Sequence, residues 1–416
     1  MRLRIKANSE ARLPRDIEPA ARAASDPALQ LAPPRVPVYN NPKARALAYQ
    51  LVLLVAVVCF GYAFALNARA NLAAQHVTSG FGFLDNSAGF GINQTLIPYN
   101  ESDTYARVFV VGLLNTLLVA VLGIVLATML GFLVGIARLS PNWLVARLAG
   151  GYVELIRNLP LLFQILFWYL AVLGTLPGPR QSISLLGEVF LNNRGIIVPA
   201  PVIGEGAGWV IGAAGFGLVA TFLLRMWAQR RQDRTGRRFP MLWAGLGLII
   251  ALPLVVLVAT GFPIGFERPQ LRGFNFVGGV RLIPEFVALL FALTTYTAAF
   301  IAEVVRAGLL AVPRGQTEAA SALGLRRGLI LRLVTVPQAL RVIVPPLTNQ
   351  YLNLTKNSSL AVAIGYPDLF AVFAGTSLNQ TGQAMEIIAI TMAVYLAISL
   401  LTSALMNWYN IRVAGR

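Results

Sequence analysis

Charge is what this sequence most conspicuously lacks. Asp, Glu, Lys and Arg make up only 12% of its 416 residues, against about 25% in an average soluble domain. Seven windows, 46–68, 108–137, 158–179, 206–224, 239–266, 286–302 and 387–411, contain none. About 20 apolar residues of helix cross a ~30 Å hydrocarbon core, and most of the windows reach that length. Window 108–137 would run roughly 45 Å as a straight helix at about 1.5 Å per residue, so it must tilt or extend into the interface. Scarcity of other residues excludes chemistry. The lone cysteine, Cys59, permits no intrachain disulfide. One histidine, His76, in a polar stretch, gives no basis for a His-built metal site or a Ser/His/Asp catalytic set. Only three lysines are present: Lys6 after Ile5, Lys43 after Pro42 and Lys356 after Thr355. None stands between Gly and Ser/Thr as a phosphate-binding loop requires, so the chain cannot hydrolyse ATP through such a loop. It is not expected to be an enzyme by itself.

Positive charge is there, and its placement is informative. With a cytoplasmic amino terminus and a chain reversal at each span, 26 of the 34 Lys and Arg fall inside and 8 outside. This asymmetry follows the positive-inside rule and puts both termini in the cytoplasm. The net charge of +17 is thereby topological, and nucleic acid is not an expected partner. Residues 1–45 hold nine basic and four acidic residues with several prolines, the composition of a basic, unstructured cytoplasmic tail. A first transmembrane helix at 46–66 and a Gly/Asn/Ser-rich outer loop complete a region at 46–106. A transmembrane domain follows at 107–416.

Further helices are predicted at about 108–136, 152–174, 207–227, 240–262, 284–309 and 384–409. Trp143, Trp168, Trp227, Trp408 and Tyr409 lie near span ends, where interfacial aromatic belts form. Helices 207–227 and 240–262 form an extra pair within about 175–283, joined by the basic hairpin "RMWAQRRQDRTGRRFP". An irregular crossing between 342 and 384 makes eight in all. There "VIVPPLTNQYLNLTKNSSLAVAIGYP" carries Pro345, Pro346, Gly365 and Pro367. Proline removes a backbone donor, and broken helices at membrane depth often border a transport path. A kinked structural helix whose lysine snorkels outward is the other reading of the same residues. The fold expected is all-α: a polytopic membrane bundle.

The segment "TEAASALGLRRGLILRLVTVP" (317–337) is too short and too charged to be a span. Thr317 can cap a helix over 318–323, Glu318 suits its dipole, and Gly324 interrupts it. Arg326, Arg327 and Arg332 then hold the next piece at the headgroups or in the cytosol, between bracketing Pro313 and Pro337. Glu318-Ala319-Ala320, Gly324 after three residues, then Val334, Val336 and Pro337 resemble the EAA signature of ABC-importer membrane subunits, with valine replacing the usual Ile and Leu.

The resemblance extends from about residue 108 through "YVELIRNLPLLFQILFWY" (152–169), "TTYTAAFIAEVVRAGLLAVPRGQTEAASALGL" (294–325) and "KNSSLAVAIGYPDL" (356–369) to polar amino-acid permeases. The extra helix pair, with "LNNRGIIVPAP" before it, is similar to permeases of general L-amino-acid and glutamate/glutamine/aspartate/asparagine uptake. The resemblance implies a type I ABC-importer permease core in a bacterial inner membrane. It implies a coupling segment at 313–337, with Glu318, Ala319, Ala320, Gly324, Arg326, Arg327 and Pro337 meeting the ATPase. It further implies two cytosolic ATP-binding subunits, a second homologous permease and a periplasmic amino-acid-binding protein. No cofactor or metal is expected in this chain, with ATP and Mg held by the ATPase.

A possible translocation path is drawn from polar groups at membrane depth: Asn115, Thr116, Thr294, Thr295, Thr297, Glu303, Asn349, Asn353, Lys356 and Asn357. The hydroxyls can equally bond their own helix, and Glu303 can pair with Arg306 three residues on. Two other classes stay open on the sequence: a self-contained secondary transporter or channel, which the few acidic residues within the spans disfavour, and a non-transporting scaffold whose knob recruits a partner.

Overall fold

The computed structural model describes residues 42–74, 80–185, 187–204, 206–236, 239–262 and 264–414. His76 and nearly all of the basic tail lie outside them. Two units are distinguished, Met1–Thr78 and Ser79–Arg416. The first contains α1, Pro42–Ala74, a 33-residue helix that runs eight residues beyond the predicted end at 66.

In the second unit the helices are α2 Tyr105–Ala137, α3 Trp143–Asn158, α4 Leu161–Leu173, α5 Ala207–Thr235, α6 Met241–Ala259, α7 Pro284–Leu310, α8 Arg314–Ala322, α9 Arg327–Ile364, α10 Phe370–Ser377 and α11 Ala384–Ala414. Seven of the described helices are long and apolar enough to span a bilayer, or eight if α3 and α4 make one bent crossing.

The interior is built on α2 and α7. Small residues let them approach closely: a Cβ at Gly131 would lie 2.6 Å from the Ile301 side chain, and one at Gly135 2.8 Å from the Ala302 carbonyl. Ala127, Ala298, Ile301 and Val305 form a buried cluster there with Ala339, Ile343, Leu347 and Leu354 of α9. In a bilayer such close packing takes over from the hydrophobic effect, because lipid is as apolar as leucine.

The single helix predicted at 152–174 is in fact two, divided at Leu159–Pro160. The chain turns through 107° between α3 and α4. Pro160 forces Leu159 into an extended conformation, φ −97° and ψ 132°, since the residue before proline avoids helical geometry. Gln164 donates to the Ile156 and Leu159 carbonyls, each at 3.0 Å, satisfying groups the broken helix leaves bare. At its other end α3 is capped by Asn142, whose Oδ1 accepts from the Leu144 and Val145 amides.

The expected break at Pro345 and Pro346 is also corrected. Both prolines sit inside continuous helix, and the disruption falls later, where helix tightens at Ser358–Ile364 and ends at left-handed Gly365. Ile343, Val344 and Leu347 are buried around the proline pair, and that packing outweighs the local loss of two donors. Elsewhere proline is absorbed by a widened turn. Such turns at Gly247–Ala251 and Leu331–Thr335 end two residues before Pro253 and Pro337, relieving the clash of the ring with the carbonyl four residues back. Pro337 therefore lies within α9 and does not close off the segment before it.

Around the extra helix pair the chain forms short strands that the sequence pattern did not suggest. β1 Ile183–Leu185, β2 Val189–Asn192 and β3 Gly195–Val198 join β8 Val280–Leu282 in one antiparallel sheet. β4 Ala200–Ile203 pairs with β5 Ile264–Glu267, and β6 Gln270–Arg272 with β7 Asn275–Val277. The β3–β8 and β4–β5 pairings tie the two ends of the insertion together, so α5 and α6 leave and rejoin the bundle at one place. Loop 80–104 packs on the Tyr105 end of α2 through Phe83 and Ala88, which join Phe373 and Ile387 in a second buried cluster.

Candidate functional site

The short helix α8 starts at Arg314, three residues earlier than the predicted cap at Thr317. The Thr317 hydroxyl lies inside the helix and donates to the Arg314 carbonyl at 2.7 Å. At the far end Gly324 takes φ +75°. Its amide donates to the Ser321 carbonyl at 2.9 Å, and the Leu325 amide to the Ala320 carbonyl at 3.3 Å. This pair of bonds is the Schellman closure, which wants glycine at the left-handed position. The chain then re-enters helix at Arg327 after an extended Arg326.

From Arg314 to Gly324 every residue except Thr317 and Ala320 is exposed, including Glu318 and Ala319. Leu323, at the tip, is 80% exposed. Arg326, Arg327 and Pro337 are exposed as well. A helix of nine residues is marginal in water by itself; here it is held by its covalent junction to α7 through Ala311–Pro313, by the glycine closure and by buried Ala320. The product is a stiff, apolar-tipped knob at the end of the best-buried helix.

Glu303 lies about two turns before that junction. It pairs with Arg306 on its own helix, where Arg306 donates to Oε1 at 2.6 Å, and with Arg138 at the end of α2. The i,i+3 pair was anticipated; the Arg138 arm was not, because nothing in the spacing links positions 165 apart. The three groups clamp the α2 and α7 ends beside the knob. Both arginines donate to its carboxylate, and such charge-assisted hydrogen bonds are stronger than neutral ones.

The other polar candidates fall into three places, on α2, α7 and α9. Asn115 and Thr116 are fully buried. The Asn115 amide donates to the Gln94 carbonyl at 2.9 Å and the Pro367 carbonyl at 2.8 Å, and the Thr116 hydroxyl accepts from the Leu369 amide at 3.0 Å. They serve as anchors for loop 365–369 and for the segment 80–104. Asp368, buried in that loop and absent from the sequence-based set, accepts from the Ala371 amide at 2.8 Å and caps α10. Thr295 donates to its own helix at Phe291, and its carbonyl accepts from the Tyr152 hydroxyl at 2.6 Å. Thr297 is buried, and the Thr294 hydroxyl is buried without a partner.

Asn349, Asn353 and Lys356 form an exposed stripe on α9, with Asn357 half-buried at its edge. Asn349 and Thr348 line a cavity of about 470 Å³ against Ser403, Asn407 and Asn410 of α11. Exposed amides and an ammonium at membrane depth are costly against lipid, so this face fits water or another protein. Among the described residues no group of three or more His, Cys, Asp or Glu side chains converges as a metal site would require.

The family profile described as "Binding-protein-dependent transport system inner membrane component" matches residues 123–415. The "General L-amino acid transport system permease protein AapQ" of Rhizobium johnstonii is 52% identical over 374 residues, 90% of this chain and 93% of the relative. The "Putative amino-acid ABC transporter permease protein YhdX" of Escherichia coli is 54% identical over 380 residues, covering 90% and 96%. The "Glutamate/glutamine/aspartate/asparagine transport system permease protein BztB" of Rhodobacter capsulatus is 43% identical over 405 residues, covering 90% and 94%. A solved "amino acid ABC transporter with histidines" superposes with a TM-score of 0.43 at 22% identity, over 74% of this chain and 95% of that one. With the family profile spanning most of the bundle and relatives above half identity along nearly the whole chain, the protein belongs to the inner-membrane components of binding-protein-dependent transport systems.

Proposed function

We propose that the chain is one of two homologous permease subunits of an ABC importer for polar L-amino acids, with both termini in the cytoplasm. In this reading two cytosolic subunits bind ATP and Mg, and a periplasmic binding protein delivers the amino acid. The observation that carries it is the projecting knob at Arg314–Gly324, closed by a left-handed glycine and joined without slack to α7. A rigid exposed protrusion at the end of a buried helix is suited to receive a push, and this chain has no phosphate-binding loop of its own to supply one.

Glu318, Ala319, Ala320, Gly324, Arg326 and Arg327 would meet the ATPase, with Leu323 as an apolar anchor. Pro337 would act from within α9, at the widened turn that passes the motion upward. The Asn349–Asn353–Lys356 stripe would face the second permease or an aqueous path between the two, and Glu303 with Arg138 would keep α2 and α7 moving as one body. ATP-driven closure of the ATPases would then switch access from outward to inward, provided the two states differ in their contacts with nucleotide and substrate.

Gly324→Asp tests this. An aspartate at φ +75° strains the turn and adds a charge at the contact. Uptake of labelled L-glutamate and L-glutamine by cells should be abolished, while the amount of permease in the membrane fraction stays unchanged. Normal uptake by that variant would contradict the coupling role.

A further inference from the structure

The basic hairpin between α5 and α6 has no part in the coupling reading, yet it borders a defined cleft. Phe222, Arg225, Met226 and Gln229 of α5, with Arg412 from the last turn of α11, enclose about 390 Å³. Arg225 and Arg412 make no ion pair with a carboxylate among the described residues. The Arg412 guanidinium lies 3.8 Å above the Trp408 ring, which holds its flat fork in place while its N–H edges stay free.

The depth of these arginines is independently marked. Arg225 is the first charge after the uncharged run 206–224, and Arg412 the first after 387–411. Two helices therefore bring their first cations past the hydrocarbon core to one boundary plane. On the core side of that plane both helices present exposed apolar side chains: Leu218 and Phe222 on α5, Leu401 and Leu405 on α11.

We infer that this cleft binds an anionic phospholipid. Arg225 and Arg412 hold the phosphate, Gln229 donates to a headgroup oxygen, and the acyl chains lie along Leu218, Phe222, Leu401 and Leu405. Basic pockets between helix ends at a headgroup plane are suited to such lipids. The apolar track below the arginines favours a tailed ligand over free phosphate. The inference needs only the membrane placement of α5 and α11; it does not depend on the coupling role of α8 or on which leaflet is cytoplasmic.

Native mass spectrometry of the intact, delipidated importer tests it, by back-titration with phosphatidylglycerol, with phosphatidylcholine and inorganic phosphate as parallel arms. Phosphatidylglycerol should be retained in preference to phosphatidylcholine. Combining Arg225→Gln with Arg412→Gln should weaken its retention roughly thirtyfold, with all subunits still present in the complex. Combining Arg230→Gln with Arg234→Gln, which changes nearby arginines that do not line the cleft, should leave retention unchanged. Equal loss in both double variants would reduce the effect to diffuse charge and overturn the site. So would unchanged retention in Arg225→Gln/Arg412→Gln, or equally tight binding of inorganic phosphate. A photoreactive residue at Gln229 should cross-link to lipid; cross-linking to another protein subunit would also overturn it.

Discussion

Helices α7 and α6 are both spans, yet they obey opposite rules. The most apolar stretch of α7 has mean hydropathy 1.8 and is 56% buried inside the protein, whereas that of α6 has 2.6 and is 6% buried. In water the greasier helix would be the inner one. In a bilayer lipid rewards apolar surface, and the protein interior rewards small residues that let backbones approach. Alanine and threonine thus mark α7, while leucine and valine mark α6, one of the outer pair that the β3–β8 and β4–β5 ribbons tie on.

The comparison breaks most sharply at glycine. A side chain at Gly135 would meet the Ala302 carbonyl and the Val305 side chain at 2.8 Å. Gly135→Leu should therefore cost at least about 3 kcal/mol through overpacking. It should abolish the monodisperse peak of a fluorescent fusion in detergent size-exclusion chromatography. Gly212→Leu on α5, where nothing lies within 4 Å, should leave the peak unchanged. Equal behaviour of the two variants would erase the distinction between inner and outer helices.

What could be read from the sequence follows the same division. Uncharged windows announced the spans, because membrane insertion depends on local composition. The knob could also be placed, because Gly324 and its arginines act over a few residues. Thr317 misled because the helix had enough support to start earlier. Pro345 and Pro346 misled because their local penalty is outweighed by the packing of Ile343, Val344 and Leu347. The 107° bend was missed although Pro160 was in plain view; a proline flanked by apolar residues marks a break in one place and a tolerated kink in another. Strands of three or four residues carry too little alternation to register. Asn115 and Thr116, grouped with the path on polarity, turned out to hold a distant loop, which only the folded chain brings to them.

A second, smaller test lies at the junction of centre and knob. Glu303 is 27% exposed and accepts from two arginines on different helices. Glu303→Gln removes the charge and leaves Arg138 without an acidic partner. The expected loss is about 2 kcal/mol, seen as a lower thermal midpoint of the purified complex. Glu303→Asp, which keeps the charge but shortens its reach, should recover part of that loss. If the amide variant melts with the parent, the clamp contributes nothing, and α2 and α7 are held by packing alone.

The smallest effect belongs to the outer region. Arg268 and Glu188 pair at 3.0 Å with 72% and 45% of their side chains exposed, bridging the turn after β1 to the segment after β5. On distance alone this contact looks as good as those of Glu303. Solvent and salt screen it, and ordering two long side chains offsets most of the attraction, so Glu188→Gln should shift stability by no more than about 0.5 kcal/mol. The thermal midpoint should move within error, at low salt as at high. A loss comparable to that of Glu303→Gln would mean that the ribbons tying α5 and α6 contribute as much to stability as the clamp between α2 and α7, and the insertion would then have to be counted with the packed centre.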